Sequence, residues 1–531
     1  MKIVLQFFAA TLVLAVWFSV LMPWDKLPDP DAFYHATMAQ LTWNGGPVTS
    51  FPWLDLTTLG GHFADQHFLL HVIQSPFVHF WGLVQGSRVS SLAFSVLSLI
   101  GVCFIFYKLG LRPFWLWPLL LALSNPFSTR MVLGKASPLV VLFWLIGLAV
   151  AFNFSRRPLF TFHFPLILFV SFLFALTHGG WIILPGSILV LLIGQIIYFK
   201  TIENQKWLES IKSANWISLL ASLVGVLIGL VVHPGRSELF SLLWVQVIKI
   251  GLITPQGILP MGIEWEAASP GALVAMTSVF GIILLLVIPG LIFARDNPPF
   301  DKGGRGDLWI KLIISWSLLI AVLVALTLKS SRFAEYLQPA LAVWTAALAQ
   351  LVDWKKLLEW LKMGESKISK YLLPTVIVTA LSLVLANNIV SAYGALHSKP
   401  EFKDDQYLAA TQAISEKAQA GDRIYHSQWD EFPILFSRDQ RLKYISGLDP
   451  NFFYEANPTL ALDYFDLPFH AASSTKDEIW ELIHDRLGAK FALVDTLRWP
   501  NLAKILDSDN RFEKIGEGQA GAAYKVVSPS L

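Results

Sequence analysis

A single cysteine, Cys103, occurs in the 531 residues. No intramolecular disulfide is therefore possible, and cysteine usage does not reveal the compartment. Charge is scarce: Asp, Glu, Lys and Arg make up 15% of the chain, against about a quarter in soluble globular proteins. The net charge is +2 and no Lys/Arg run or basic helix accompanies it, so nothing points to nucleic acid and no such partner is expected. Internal repeats are absent, and the ionisable residues sit at the ends of apolar runs rather than in their middles. Both points count against a transporter or flippase for a lipid-linked or anionic substrate, which needs mid-membrane polar groups and often repeated halves. What is abundant is apolar: 54% hydrophobic residues, with 21 Trp and 38 Phe, as lipid-facing helices and interfacial aromatic belts require.

Eleven apolar runs approach the roughly 17–25 residues that cross a bilayer. They lie at about 4–22, 89–107, 113–128, 131–152, 161–178, 181–199, 214–233, 271–294, 309–328, 336–352 and 371–393. The first has one lysine before its apolar core and no small-residue cleavage site after it, and it reads as an uncleaved anchor. With the N-terminus in the cytoplasm, the inner loops hold sixteen Lys and Arg and the outer loops eight, which satisfies the positive-inside rule. The expected fold is an all-α multi-pass bundle over 1–396 followed by an extracytoplasmic α/β domain over 397–531, in a plasma (inner) membrane. The Pro/Gly-rich stretch 297–304 reads as an inner linker. Loops 23–88 and 234–270, the turn around Arg332 and the tail then share the outer face, with eleven of the twelve histidines.

The chemistry gathers on that face. Asp29-Pro30-Asp31-Ala32-Phe33-Tyr34-His35 follows the first run directly, and ionisable groups beside lipid are costly enough to mark functional sites. An acidic residue followed by aromatic-aromatic-His resembles the first external loop of the GT-C glycosyltransferases, polytopic enzymes that take sugars from polyprenyl-phosphate carriers. In layout the chain is most similar to their oligosaccharyltransferase catalytic subunits. That resemblance implies Asp31 as a catalytic carboxylate near the acceptor and as a ligand of a divalent metal (Mg2+ or Mn2+), with Asp29, Tyr34 and His35 at the substrate. Displacing a polyprenyl phosphate calls for a cation on the leaving oxygens and a carboxylate near the nucleophile.

Three further stretches extend the set. Asp65-Gln66-His67 precedes a surface helix expected over 68–85, with Asp65 a candidate metal ligand and Asp65 and His67 candidate phosphate contacts. His67 and His71 have the spacing of a zinc pair, but no Glu lies between them, and they read as interfacial histidines. The chain departs from the family pattern in the next outer loop: around 124–137 it carries Arg130 and Lys135 but no acid. In the loop 234–270, Glu264 is by topology the glutamate that oligosaccharyltransferases bring to the metal on a mobile loop, here a catalytic and metal-binding candidate. Trp244 and Trp265 alternatively make that loop a bilayer-anchored helix. Arg332 is the candidate donor-phosphate ligand, since a guanidinium fits two phosphate oxygens; the bland alternative is a snorkelling arginine paired with Glu335.

In the tail, helix patterns at about 404–419 and 475–487 alternate with strands at Arg423–His426, Phe491–Val494 and Tyr524–Val527. Trp429-Asp430 matches part of the family's Trp-Trp-Asp acceptor motif, with Gln428 replacing the first Trp. Gly447-Leu448-Asp449-Pro450 reads as a plain turn. No nucleophile elbow or Gly-rich phosphate loop is present, so this domain is expected to bind an acceptor rather than do chemistry. The expected partners are a polyprenyl-phosphate-linked sugar donor, membrane lipid and a protein, lipid or glycan acceptor. A non-catalytic assembly protein with an external docking domain is the other reading, although it has no need of a ring of acids and arginine.

The charge bias predicts one external face. Single cysteines placed at Ser50, Ser237 and Ser473 in a Cys103-free background should all react with an impermeant thiol reagent from outside. Labelling of position 473 only after permeabilisation would overturn this orientation.

Overall fold

Apolar runs without polar interruptions have little choice in lipid but to close their backbone hydrogen bonds internally as helices. In the computed structural model, residues 1–153, 163–253, 259–260, 262–294, 305–361, 367–398 and 403–528 are described; the stretch 297–304 lies outside them. The helices on the path to the site are α1 (Lys2–Leu21), α2 (Asp31–Gly45), α3 (Phe68–Trp81), α4 (Leu83–Leu109), α5 (Leu116–Ala122), α6 (Phe127–Met131), α7 (Ser137–Asn153), α8 (His163–Thr177) and α9 (Ile183–Thr201). There follow α10 (Trp207–Ser213), α11 (Trp216–Val232), α12 (Arg236–Leu243), α13 (Pro270–Ala294), α14 (Arg305–Lys329), α15 (Ala334–Ala349), α16 (Trp354–Leu361) and α17 (Lys367–His397).

The expectation of eleven spans is corrected. Among the described residues six helices are long and apolar enough to cross a membrane, and a seventh, α10 with α11, qualifies only as a pair bent by 48°. The run 113–128 contains Pro113, Pro118 and Pro126 and yields only the seven-residue α5 and five-residue α6, because proline removes a helix donor and clashes with the preceding turn. α8 has 15 residues and α7 has 17, short of the hydrocarbon thickness. The 16 residues of α15 reach about 24 Å, and every one except Trp344 is buried. It is a core helix, hydrophobic because protein surrounds it.

Past residue 403 the period changes and a five-stranded sheet forms: β1 (Arg423–His426), β2 (Lys443–Tyr444), β3 (Phe491–Asp495), β4 (Phe512–Glu517) and β5 (Gly521–Val526), in the order β2-β1-β3-β5-β4. β2, β1 and β3 run parallel, while β5 and β4 are antiparallel additions. All five residues of β3 are buried, as expected of a central strand covered on both faces.

One apolar core joins this domain to the loops of the bundle. Leu27, Phe33, Phe51 and Leu54 of the first loop pack with Leu239 and Leu242 of α12 and with Phe432 and Phe436 of the C-terminal domain. Ionic straps tighten the junction: Asp55 takes Arg423 at 3.0 Å and Lys443 at 2.7 Å, and Arg88 holds Asp404 at 2.7 Å. The first loop, α12 and the tail thus occupy one end of the bundle.

The Arg88 side chain is fully buried whereas that of Asp404 is 39% exposed, so the pair is asymmetric. Asp404→Asn removes the charge that balances a buried guanidinium and should cost about 1.5–3 kcal/mol, the range for hydrogen bonds to charged groups. Adding Arg88→Met should recover part of that loss. Thermal midpoints in detergent check this; a double variant no more stable than Asp404→Asn alone would refute it.

Candidate functional site

The site starts at the first turn of α2. Pro30 precedes the helix, and Asp29 Oδ1 accepts the Asp31 backbone N–H at 2.9 Å, satisfying one of the unpaired donors of a helix start. Residues three and four apart share a helix face, so Asp31, Tyr34 and His35 point the same way and line one cavity of about 90 Å³. Its other walls include His67, Arg130, Lys135, His178, Glu264 and Arg332.

The charges there are interlocked. Lys135 Nζ lies 2.8 Å from Asp31 Oδ2 and 3.2 Å from Asp29 Oδ2. Glu264 receives Arg130 Nη1 on one oxygen at 3.0 Å and Arg332 Nη1 on the other at 3.3 Å. Arg130 also donates from Nε to Glu335 at 2.8 Å. Arg332 Nη2 lies 2.9 Å from His178 Nε2, and its guanidinium sits 4.9 Å over the Trp265 ring. Burial alone would raise the Glu264 carboxyl, but Lys135, Arg332 and Arg130 outweigh it and hold that group well below the usual range. Asp29 is pushed up to about 6 by burial, opposed by Lys135 and assisted by Asp31 and Glu264. Burial lowers the Lys135 ammonium, yet Asp29 and Asp31 more than compensate and its pKa is raised.

A second network backs the cavity. Asp65 Oδ2 lies 2.6 Å from His71 Nδ1, and His71 Nε2 lies 2.8 Å from His35 Nδ1. His71 bridges the two, one ring nitrogen on the Asp65 carboxylate and the other on His35 Nδ1, which leaves His35 Nε2 outside this chain. The chain Asp65–His71–His35 therefore fixes the orientation of a cavity imidazole. Burial raises Asp65, but its bonds to His71 and His67 bring it below the ordinary value.

Among the expected site residues, Asp31, Tyr34, His35, His67, Glu264 and Arg332 all face this cavity, and Asp29 reaches it through Lys135. Others fall elsewhere. Asp65 is 3% exposed and stands behind the cavity, committed to His71; His71, expected at an interface, is fully buried. Trp429 donates to the Pro260 carbonyl at 2.7 Å and Asp430 pairs with Arg498 at 3.1 Å. The C-terminal wall is instead Leu448 and Asp449, from the turn expected to be plain, with Phe452 of the helix that follows. Asp449 caps the following helix through the Asn451 N–H, and burial pushes it up to about 6. Glu335 binds Arg130, not the neighbouring Arg332, and Trp265 lines the cavity instead of anchoring a surface helix. Arg130, Lys135 and His178 were missed; the one signal for the first two was a basic outer loop where the resembled family has acids.

Asp31, Asp65 and Glu264 do not form a metal donor set. Asp65 is turned away, both Glu264 oxygens hold guanidinium groups, and Asp31 holds an ammonium. Among the described residues no cluster of three or more His, Cys, Asp or Glu could hold a metal ion.

No family model matches the chain, and no curated protein does. Solved structures do match. Archaeal oligosaccharyltransferase AglB from Archaeoglobus fulgidus, in complex with an inhibitory peptide and a dolichol-phosphate, aligns over 99% of this chain and 74% of its own, with TM-score 0.62 and 11% identity. An A. fulgidus oligosaccharyltransferase complex with Zn and sulfate aligns over 98% and 73%, with TM-score 0.53 and 13% identity. ArnT from Cupriavidus metallidurans bound to undecaprenyl phosphate aligns over 100% and 99%, with TM-score 0.57 and 13% identity. The fold is that of the GT-C glycosyltransferases.

The histidines predict acid sensitivity. Burial holds His67 down to about 3, and holds His35 and His178 well below 6.5, with neighbouring histidines and, for His178, Arg332 adding to it. On acidification the unfolded chain binds protons first, so their contribution to stability is full above about 6.5 and drains away as pH falls toward 3. Each such histidine contributes up to about 1.4 kcal/mol per pH unit in that window. His67→Gln should flatten the fall of the thermal midpoint between pH 7 and 5, and an unchanged slope would refute the assignment.

Proposed function

We propose that this cavity moves a sugar or glycan from a polyprenyl-phosphate-type carrier to an acceptor at the extracytoplasmic face of the membrane. The observation that carries the reading is the continuity of two unlike spaces. The charged cavity adjoins an apolar one of about 190 Å³, lined by Ile182, Ile183, Leu326, Phe333 and Tyr336, and both are walled by Arg332 and His178. A lipid phosphate needs that sequence of environments: hydrocarbon walls, then a guanidinium at headgroup depth, then polar groups for the sugar. The dolichol-phosphate in AglB and the undecaprenyl phosphate in ArnT support such a donor, and the peptide in AglB supports a peptide among the possible acceptors. The excess of Lys and Arg in the opposite loops supports the external face.

In this reading a lone pair of the acceptor attacks the anomeric carbon while the carbon–oxygen bond to phosphate breaks. The bonding pair leaves on the phosphate oxygen, and Asp31 takes the acceptor's proton. Arg332, braced by Glu264 and stacked on Trp265, meets the phosphate with a preset fork. His35, held in place by His71 and Asp65, orients the acceptor.

Purified protein incubated with labelled polyprenyl-linked sugars tests the reading. Asp31→Asn keeps shape but loses charge and should slow transfer by about two orders of magnitude; near-normal turnover would remove Asp31 from the chemistry. Arg332→Lys loses the fork and the stacking, and should weaken donor binding by about 1–3 kcal/mol with acceptor affinity hardly changed. Loss of acceptor binding with donor binding intact would reverse the placement of the carrier.

A further inference from the structure

Two of the acids that the resemblance assigns to a metal, Asp31 and Glu264, already hold cations of the chain's own. Lys135 approaches from the turn between α6 and α7, and its ammonium contacts one oxygen each of Asp29 and Asp31. Its side chain is only 16% exposed, and those of Asp29 and Asp31 are 20% and 28% exposed. The preceding residue explains how it gets there. Gly134 has φ +75°, and a Cβ on it would lie 2.8 Å from the Ala32 Cβ. A glycine is thus required for two reasons, conformation and contact. Its bare backbone presses the turn onto the first turn of α2, directly beside Asp31.

An ammonium between two carboxylates stands where a bridging divalent ion would stand. Such ions take carboxylate oxygens at about 2.0–2.6 Å, so one bound to these same two oxygens would need the volume that Nζ occupies and would meet its charge at close range. We propose that Lys135 is the resident cation of this site and that the Asp29–Asp31 pair takes no divalent metal while Lys135 is present. The proposal rests on the reading of this cavity as the site of transfer for its catalytic meaning. There, two of the ammonium's three N–H donors face the acids, and the third can meet an oxygen of the departing phosphate. Lys135 keeps its proton throughout, supplying a fixed positive charge and holding the Asp31 carboxylate toward the acceptor.

Mn2+ titration of the full chain in detergent, followed by the free-ion electron paramagnetic resonance signal, tests this without any sugar donor. Wild type and Lys135→Arg should leave Mn2+ free. Lys135→Ala should open a site for one ion per chain, bound at least tenfold more tightly than by wild type, and Lys135→Ala with Asp31→Asn should lose it. One-to-one Mn2+ binding by wild type that Asp31→Asn abolishes would overturn the proposal, and this comparison needs no Lys135 variant to fold. A folded Lys135→Ala that gains no site would overturn it too. Because the readout is metal occupancy, absence of sugar transfer would sink the functional reading and leave this result standing.

Discussion

Glu264 is gripped by two arginines, one on each oxygen, and the cavity exists because of that grip. Arg130 comes from α6, Arg332 from the turn before α15, and Glu264 from the segment before α13, so three distant stretches meet at one carboxylate. Arg130 extends the lattice to Glu335, which Ser137 also satisfies at 3.0 Å. Charges held largely out of water are tolerable only when each has its partner, and removing one member leaves the others uncompensated. The lattice therefore behaves as a unit. It fixes the arginine fork, and it keeps Glu264 ionised against the pull of burial.

Around that lattice the structure separates polar from apolar surface sharply. The Phe51, Phe432 and Phe436 cluster closes the end of the bundle against the C-terminal domain, while the charged cavity lies beside it and the apolar space opens next to Arg332. Trp429, hydrogen-bonded to Pro260, braces the same segment that carries Glu264. The C-terminal domain thereby serves the site by holding a loop and by lending Leu448, Asp449 and Phe452 as a wall.

Much of this was legible in the chain because it depends on local spacing. Asp31, Tyr34 and His35 share a cavity since they fall one helical turn apart, and hydrophobic runs became helices since a run without polar groups has no other way to satisfy its backbone in lipid. A mixed α/β tail followed from the change of period past residue 403, and the strands at Arg423–His426 and Phe491–Asp495 follow the apolar pattern closely. The gathering of acids, histidines and Arg332 at one end followed from charge bias between loops. Tertiary structure alone decided which charges pair. Nothing in the spacing of Lys135 from Asp31, or of Arg130 from Glu264, reports a contact made by folding back across the bundle, and Gly134 acquires its meaning only when Ala32 lies against it. It also decided that α15, from a run expected to be a span, is wrapped in protein, a matter of surroundings that the run itself does not carry. Helices and motif faces are properties of neighbours along the chain; ion pairing and burial belong to neighbours in space, and for this protein those pairings decide what the motif can bind.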